Sequence, residues 1–547
     1  MKMNSEGRRD SCMAVMKELM HQVTFEQEIP TYPNLGNIYP GDYYEELPFE
    51  QYICKNQDIA GEGPVYDIRE FGALPVPGRV NTAAFQAAAD ACGRAGGGTI
   101  LVQGGSYVTG TIYLHDNTTL FIAGDAVMEA TRESRRLKTA LLVADGAENL
   151  VITGGGEILG NGEWFVHEPK LKPRRTPIPV THLAPAGTPD RNLPETTLRY
   201  QYRRRIRFSE DEYDEKIGET MRPGFMVYLN NCKNVRIENI VLRDAMHWTL
   251  NLFACEDVLV KDIVIQNNRH VANTDGIDIS GSSRVEIDHC FISTADDGIV
   301  VKNPKETGRG MSDLYIHDCQ VITVMNAFKI GTETRWDISD ILVENCRFFM
   351  PDLYPGTTSG IVVESADGSH IGNVTVRNIE MERVTCPVFI CLNMRNRYRE
   401  PLGDPADSPY WGGGIEGITI ENIRASDVEV PSLIFGFETG EKGAGKVRKP
   451  VKNIVIRNFE AVYRDNDEIV EVPETVEEFL YQYPENNSVG DVDAYGFWVR
   501  HCDGLVLEQV QITPRTVNKR EMIKLYDVSN SVVCIDAERF LRGEKGK

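Results

Sequence analysis

The sequence predicts an all-β protein: a right-handed parallel β-helix with an N-terminal capping helix and an irregular N-terminal arm. Two observations carry this reading. Beyond Thr99 no long helical pattern follows, and in its place a short phrase recurs. Each phrase is an Asn, Asp, Gly or Arg, then alternating apolar residues, then a small polar corner. Phrases opening at Asn234, Asp257, Arg284, Asp313 and Asp340 start 23 to 29 residues apart. Strands at that spacing, with no helices between them, stack as solenoid coils that each pack only on their neighbours. A solenoid also lets 547 residues form one domain, although compact single cores stop growing at roughly 250–300 residues.

Residues 1–62 read as an N-terminal extension. Ser11 to Gln22 fits one short amphipathic helix, and the Pro/Tyr/Gly-rich stretch Pro30 to Pro48 fits an arm that wraps a larger body. The arm is the expected route to any homo-oligomer. The body, 63–547, opens with Val65 to Ala73, a strand ending in a glycine turn. Asn81 is placed to N-cap an Ala-rich helix over Thr82 to Arg94, which would cover the exposed end of the solenoid. Gly96-Gly97-Gly98 stops that helix. The run lacks the Gly-Lys-Ser/Thr ending of a phosphate loop and follows a helix instead of preceding one.

Further phrases open at Asn149, Asn373, Gly417, Asn453 and Gly504. Cys290, Cys319 and Cys346 fall at one phase of the repeat, where Ile240, Ile263, Ile379 and Ile423 stand in other coils. They read as an inward ladder, since a free cysteine behaves as a small hydrophobe. Departures from the period mark insertions near 164–223, 393–413 and 464–492, and long insertions in a compact fold are usually functional or disordered.

Composition narrows the function classes. A net charge of −23 disfavours nucleic acid and anionic membrane as partners. No stretch approaches the roughly 18 apolar residues that span a bilayer. The apolar patch Cys12 to Met16 is broken by Lys17 and Glu18, too early for a secretory signal, so a cytoplasmic location is expected. The 12 cysteines then read as reduced thiols. With no CxxC pair, neither a metal site nor a redox pair is signalled, and no cofactor is called for.

The chemistry concentrates in Asn273 to Lys302. The stretch opens Asn273-Thr274-Asp275-Gly276-Ile277-Asp278 and closes Asp296-Asp297-Gly298-Ile299-Val300-Val301-Lys302. Asp275 and Asp296 are 21 residues apart, about one coil, which predicts matching positions on adjacent coils with Asp297 alongside. Three carboxylates so close cannot all stay ionised, so one should hold a proton as a general acid while its neighbours activate water. Glycoside hydrolysis requires that pair of roles. Residue types alone leave a second reading open, because Asp and Asn are also common at turns.

NTDGID followed by ADDGIVVK resembles the signature of glycoside hydrolase family 28, the polygalacturonase family. YDIREFGA, the Ala-rich helix and GGGTILVQGGSYVTGTIYL are similar to the N-terminal region of many bacterial members. The resemblance covers roughly residues 65–515. It implies a right-handed β-helix and inverting hydrolysis, with Asp296 as general acid and Asp275 and Asp297 on the attacking water. Asn273 matches the motif asparagine, and Trp248 stands where members often carry an aromatic residue.

Two departures are plain. The family's Gly-His-Gly motif has no histidine counterpart in Asn326 to Glu333. Its Arg-Ile-Lys motif corresponds to Ile361-Val362-Val363-Glu364, where Glu364 would repel a uronate. Lys329 is then either a replacement cation or an outward lysine, and Glu333 and Glu364 are candidates for sugar hydroxyls. Arg222 and His247 complete the candidate contacts, with Tyr495, Arg500 and His501 beyond them.

The expectation is an exo-acting, inverting hydrolase of pectin-like plant cell-wall oligosaccharides, because insertions would wall off one end of the groove. Alternatives are a rhamnogalacturonan- or neutral-glycan-directed glycosidase, a polysaccharide lyase, which would need a cation cluster not seen around the acids, and a non-catalytic carbohydrate-binding solenoid.

Overall fold

The computed structural model describes residues 49–59, 63–165, 222–269, 271, 273–351, 356–398, 412–439, 447–463, 476–514 and 519–535. The expected arm therefore lies outside the described residues except for 49–59. Most of the insertion near 164–223, and residues 399–411 and 464–475 of the other two, lie outside them as well.

The repeated phrase has a backbone cause. Its opening residues Asn149, Asn234, Asp257, Arg284, Asp313, Asp340, Asn373 and Asn453 all have left-handed φ, between 52° and 63°, and Gly417 and Gly504 have φ of 73° and 82°. Asn, Asp and Gly tolerate that region best, so the coil turns there. The alternating residues that follow form the next strand.

Successive coils pair in parallel. Strand Leu250–Phe253 pairs with Ile277–Ser280, which pairs with Ile299–Asn303, and that strand with Asn326–Thr334. Strand Glu256–Gln266 likewise pairs with Ser283–Asp288 and with Phe291–Thr294. One antiparallel pair, Phe437–Thr439 with Val447–Lys449, stands apart from the stack. Inside the coils like stacks on like. Ile240 pairs with Ile263, and Cys346, Ile379 and Ile423 stand in register. Neighbouring pairs bring Cys290 and Cys319 into the same file. All three cysteines are buried and unbridged, as the ladder predicts. At a second corner Asn345, Asn378, Asn422 and Asn458 join their side-chain amides at 3.0, 2.9 and 3.0 Å.

The helix spans Thr82–Arg94, as its Ala-rich pattern predicts, and buries Phe85, Ala88, Ala89 and Cys92 in the core of the first strands. Asn81 holds the expected N-cap position, where its carbonyl accepts from the Ala84 and Phe85 N–H groups at 2.9 and 3.1 Å, but its side chain does not cap. That side chain accepts from the Leu74 N–H at 2.9 Å and donates to the Arg79 and Leu74 carbonyls. The Asn81 side chain thus fastens the preceding loop, while its backbone starts the helix.

Among the described residues no helix is long and apolar enough to cross a membrane.

Candidate active site

One outward row of the stack leads to the site. Register places Tyr228, Asn251, Asp278, Val300, Lys329 and Val362 side by side on successive coils. The row continues through Phe389, Leu433 and Trp498.

The same pairing corrects the predicted alignment of the acids. Ile277 stands opposite Ile299, and the Gly276 N–H donates to the Asp297 carbonyl at 2.9 Å. Asp275 is therefore in register with Asp297, and Asp296 sits one residue out of phase at the corner. The glycines after the two aligned acids are forced by close approach. A Cβ on Gly276 would lie 2.4 Å from the Gly298 carbonyl oxygen, and one on Gly298 would lie 2.3 Å from Val321 Cγ1.

The three acids converge despite the shift: one oxygen from each lies within 4.8 Å of the others. Asp275 and Asp297 are buried, whereas Asp296 is half-buried. The Asp296 carboxylate accepts from the Asn273 N–H at 3.2 Å, from Asn273 Nδ2 at 3.4 Å and from the Asp297 N–H at 3.0 Å. Burial, and then repulsion from Asp275, Asp297 and Glu485, hold its carboxyl well above the ordinary carboxylate range. Asp297 accepts from Asn326 Nδ2 at 2.7 Å and faces Lys329 Nζ at 3.5 Å.

Each aligned acid is bridged by a buried lysine to an aromatic ring. Lys302 Nζ donates to Asp275 at 3.1 Å and to Asp278 at 2.6 Å, and sits 3.5 Å from the Trp248 ring centroid. Burial alone would favour its neutral amine, but the two carboxylates hold it well above the ordinary lysine range. Burial likewise pushes Asp275 up, and Asp278 up to about 7, against the pull of Lys302. One oxygen of each, Asp275 Oδ1 and Asp278 Oδ2, has no hydrogen-bond partner. On the other side Lys329 lies between Asp297 and Glu364, the latter at 3.7 Å, and 5.8 Å from the Tyr483 ring.

The remaining sequence candidates fall into place around these acids. Lys329 and Glu364 are 1% and 0% exposed, so Lys329 is not a solvated outward lysine and Glu364 does not present itself to a sugar hydroxyl. Burial raises Glu364 to about 8 despite Lys329. Glu333 pairs with Arg397 and lies 3.9 Å from Arg395, which in turn holds Asp367 at 2.5 Å. Trp248 stacks toward Phe225 at 5.3 Å, and Phe225 onto Tyr228 at 5.1 Å. His247 packs edge-on against Phe225. Burial, then the Arg222 and Lys302 cations, lower it to about 3, so it is neutral. Arg222 turns its Nε onto the Met246 carbonyl. Tyr495, Arg500 and His501 do not meet the acids: Tyr495 packs on Tyr463, while Arg500 donates to the Val476 and Glu477 carbonyls and His501 faces Glu478.

Asp278, Lys302 and Asn326 carry no role in the sequence reading, and the segment 476–492 enters it only as part of the insertion near 464–492 expected to wall off the groove. That segment crosses the row beyond Lys329. Asn486 donates to the Thr358 carbonyl at 2.6 Å, Met394 to the Leu480 carbonyl at 2.7 Å, and Thr332 to Tyr483 at 3.0 Å. Phe479 and Val492 pack there on Val362, Phe389, Leu433 and Trp498. The apolar half of the outward row is thereby covered.

Among the described residues the acid triad is also one of two groups close enough to share a cation; the other is Glu286, Asp288 and His317. There burial alone would lower His317, but Asp318, Glu286 and Asp288 raise it to about 10, so an internal cation already stands among those carboxylates.

The family model described as Glycosyl hydrolases family 28 matches residues 206–454. A polygalacturonase of Persea americana is 26% identical over 208 residues, 38% of this chain and 42% of the relative. The chain spans about half the length of the first curated relatives it matches. A family 28 exopolygalacturonase of Yersinia enterocolitica superposes with a TM-score of 0.60 at 17% identity, over 86% of this chain and 78% of that one. A hyperthermoactive exopolygalacturonase of Thermotoga maritima does so at 0.54 and 18%, over 76% and 90%. At these identities the two structures show a shared fold.

Proposed function

We propose, from the premise that this chain belongs to glycosyl hydrolases family 28, that it is an exo-acting hydrolase of pectin-derived oligosaccharides. The observation that carries the reading is the convergence of Asp275, Asp296 and Asp297 within 4.8 Å, with Asp296 the half-buried acid whose carboxyl burial and neighbouring charge hold well above the ordinary range.

Asp296 gives its proton to the glycosidic oxygen as the bond to the anomeric carbon breaks. Asp275 and Asp297 hold a water, whose oxygen bonds that carbon and whose proton passes to Asp297. Lys302 and Lys329 place a cation against each of the two water-binding carboxylates. Asn273 fixes the acid, and Trp248 offers a ring to the sugar. Lys329 and Glu364 act through Asp297 as positioning residues, while Glu333, His247 and Arg222 shape the surround.

Inversion is the outcome the family implies. Carboxyl groups of inverting pairs usually stand ~6.5–9.5 Å apart, and those of retaining pairs ~5–5.5 Å. The spacing here is compact, so the anomer formed first is the test. Exo action is supported by the segment 476–492, which covers the row directly beyond Lys329. The right-handed sense of the coils is inferred from the near-universal hand of parallel crossovers.

The experiment is product release from pectic, rhamnogalacturonan and neutral oligosaccharides, with Asp296→Asn beside the wild type and first products resolved by chromatography. Monomers from one chain end, lost in the variant, are expected. Mixed internal fragments would overturn exo action, and no release from any substrate would overturn the hydrolase reading.

A further inference from the structure

We propose that the sugar residue held at the three acids is uncharged: a neutral pyranose or a methyl-esterified uronate, not a free uronate. This rests on the hydrolase reading above and narrows it.

The basis is the accounting of cations. Lys302 stands between Asp275 and Asp278 at 3.1 and 2.6 Å, and Lys329 between Asp297 and Glu364 at 3.5 and 3.7 Å. Arg395 is held by Asp367 at 2.5 Å, with Glu333 at 3.9 Å, and Arg397 pairs with Glu333 while its backbone N–H donates to Asp367 at 2.7 Å. These four cations thus share six carboxylates before Asp296 and Glu485 are considered. Each of these four cations stands within ion-pair distance of a carboxylate of its own, and among them none is left over for a substrate anion. A further carboxylate placed here would meet like charge in a poorly solvated site, where repulsion is strong.

The walls agree. On the Asp275 side the lysine is roofed by Trp248, with Phe225 beyond it and Arg222 turned onto the Met246 carbonyl. On the Asp297 side Tyr483 stands over both Lys329 and Arg395, with centroids at 5.8 and 5.6 Å. Lys302, Lys329 and Arg395 therefore each carry an aromatic ring beside their carboxylate partners.

The test compares an oligogalacturonate with the same oligomer fully methyl-esterified, beside p-nitrophenyl glycosides of neutral sugars. The kcat/KM should be at least about ten-fold higher on an uncharged substrate than on the free acid. Turnover of the ester alone assigns an esterified uronate, and turnover of a neutral glycoside alone assigns a neutral sugar. Equal or better turnover of the free acid overturns the proposal. Glu333→Gln, which removes the carboxylate paired with Arg397, should raise the ratio of kcat/KM on the free acid to kcat/KM on the ester at least three-fold; no rise in that ratio counts against it. If nothing is hydrolysed, the hydrolase reading fails by itself, and calorimetric binding of the two oligomers to Asp296→Asn still decides. Tighter binding of the ester sustains the uncharged-residue proposal; tighter binding of the acid, or no binding of either, overturns it.

Discussion

Lys302→Met removes the ammonium from between Asp275 and Asp278 and leaves a side chain of similar length beneath Trp248. Two contacts at 3.1 and 2.6 Å are each worth several kcal/mol of gross Coulomb energy at an effective dielectric of about 20. Desolvation offsets much of that. Removing one partner of a buried pair costs about 3–5 kcal/mol, because a charge is stranded. The stranded carboxylates escape by taking up protons, and this sets the sign of the pH dependence. Both folded-state values are already above the ordinary 3.8, with Asp278 near 7, and losing Lys302 raises them further. Between the unfolded and folded values the folded state binds more protons than the unfolded one. Stability therefore falls as pH rises through that window, by about 1.4 kcal/mol per pH unit per group. The deficit relative to wild type should be about 1 kcal/mol near pH 5 and about 3 kcal/mol or more near pH 8. Urea unfolding followed by tryptophan fluorescence measures it. A deficit below about 0.5 kcal/mol at both pH values, or one that grows toward acid, would refute the bridging role of Lys302.

Three further outcomes follow from the same geometry. Asp278→Asn should flatten the wild-type pH profile: the raised carboxyl costs the native state up to about 4 kcal/mol as pH climbs from about 4 to 7, and parallel profiles of the two proteins would contradict this. Gly298→Ala places a Cβ 2.3 Å from Val321 Cγ1 and 2.8 Å from the Ala327 carbonyl oxygen, so unfolding measurements should show a loss of about 1–3 kcal/mol. Asn486→Ala unpins the segment 476–492 from Thr358 and Ser359; chromatography of the first products should then reveal internal cleavage that a parallel wild-type digest lacks.

The solenoid was legible because its cause is local. A residue that tolerates left-handed φ, followed by alternating apolar residues, marks each coil, and Asn234, Asp257 and Asp340 announce it one residue at a time. The cysteine ladder followed from the same phase. Register was harder to read. Residue counts suggested that Asp275 and Asp296 align, but the pairing of Ile277 with Ile299 shows a coil of 22 residues at this place, and the corner absorbs the difference. Asn81 stands at the N-cap as the pattern predicts, but nothing in sequence reveals that its side-chain amide is engaged by Leu74 and Arg79 instead of the helix. Lys302 was visible at the end of the motif, yet an outward lysine and a buried bridge look alike until Asp275, Asp278 and Trp248 close around it. The segment 476–492 contributes through contacts with Thr332, Thr358 and Met394, far away in sequence, and no local pattern encodes those.

The assignment of Asp296 as the acid is tested most directly by leaving-group dependence. Wild type, Asp296→Asn and Asp297→Asn are compared on a natural glycosidic bond and on a dinitrophenyl glycoside of the same sugar. A general acid contributes about 10²–10⁴, and only where the leaving oxygen needs a proton. Asp296→Asn should lose about a thousand-fold on the natural bond and less than about ten-fold on the activated one, while Asp297→Asn loses heavily on both. Equal losses of Asp296→Asn on the two substrates, or no loss on the natural bond, would contradict the account.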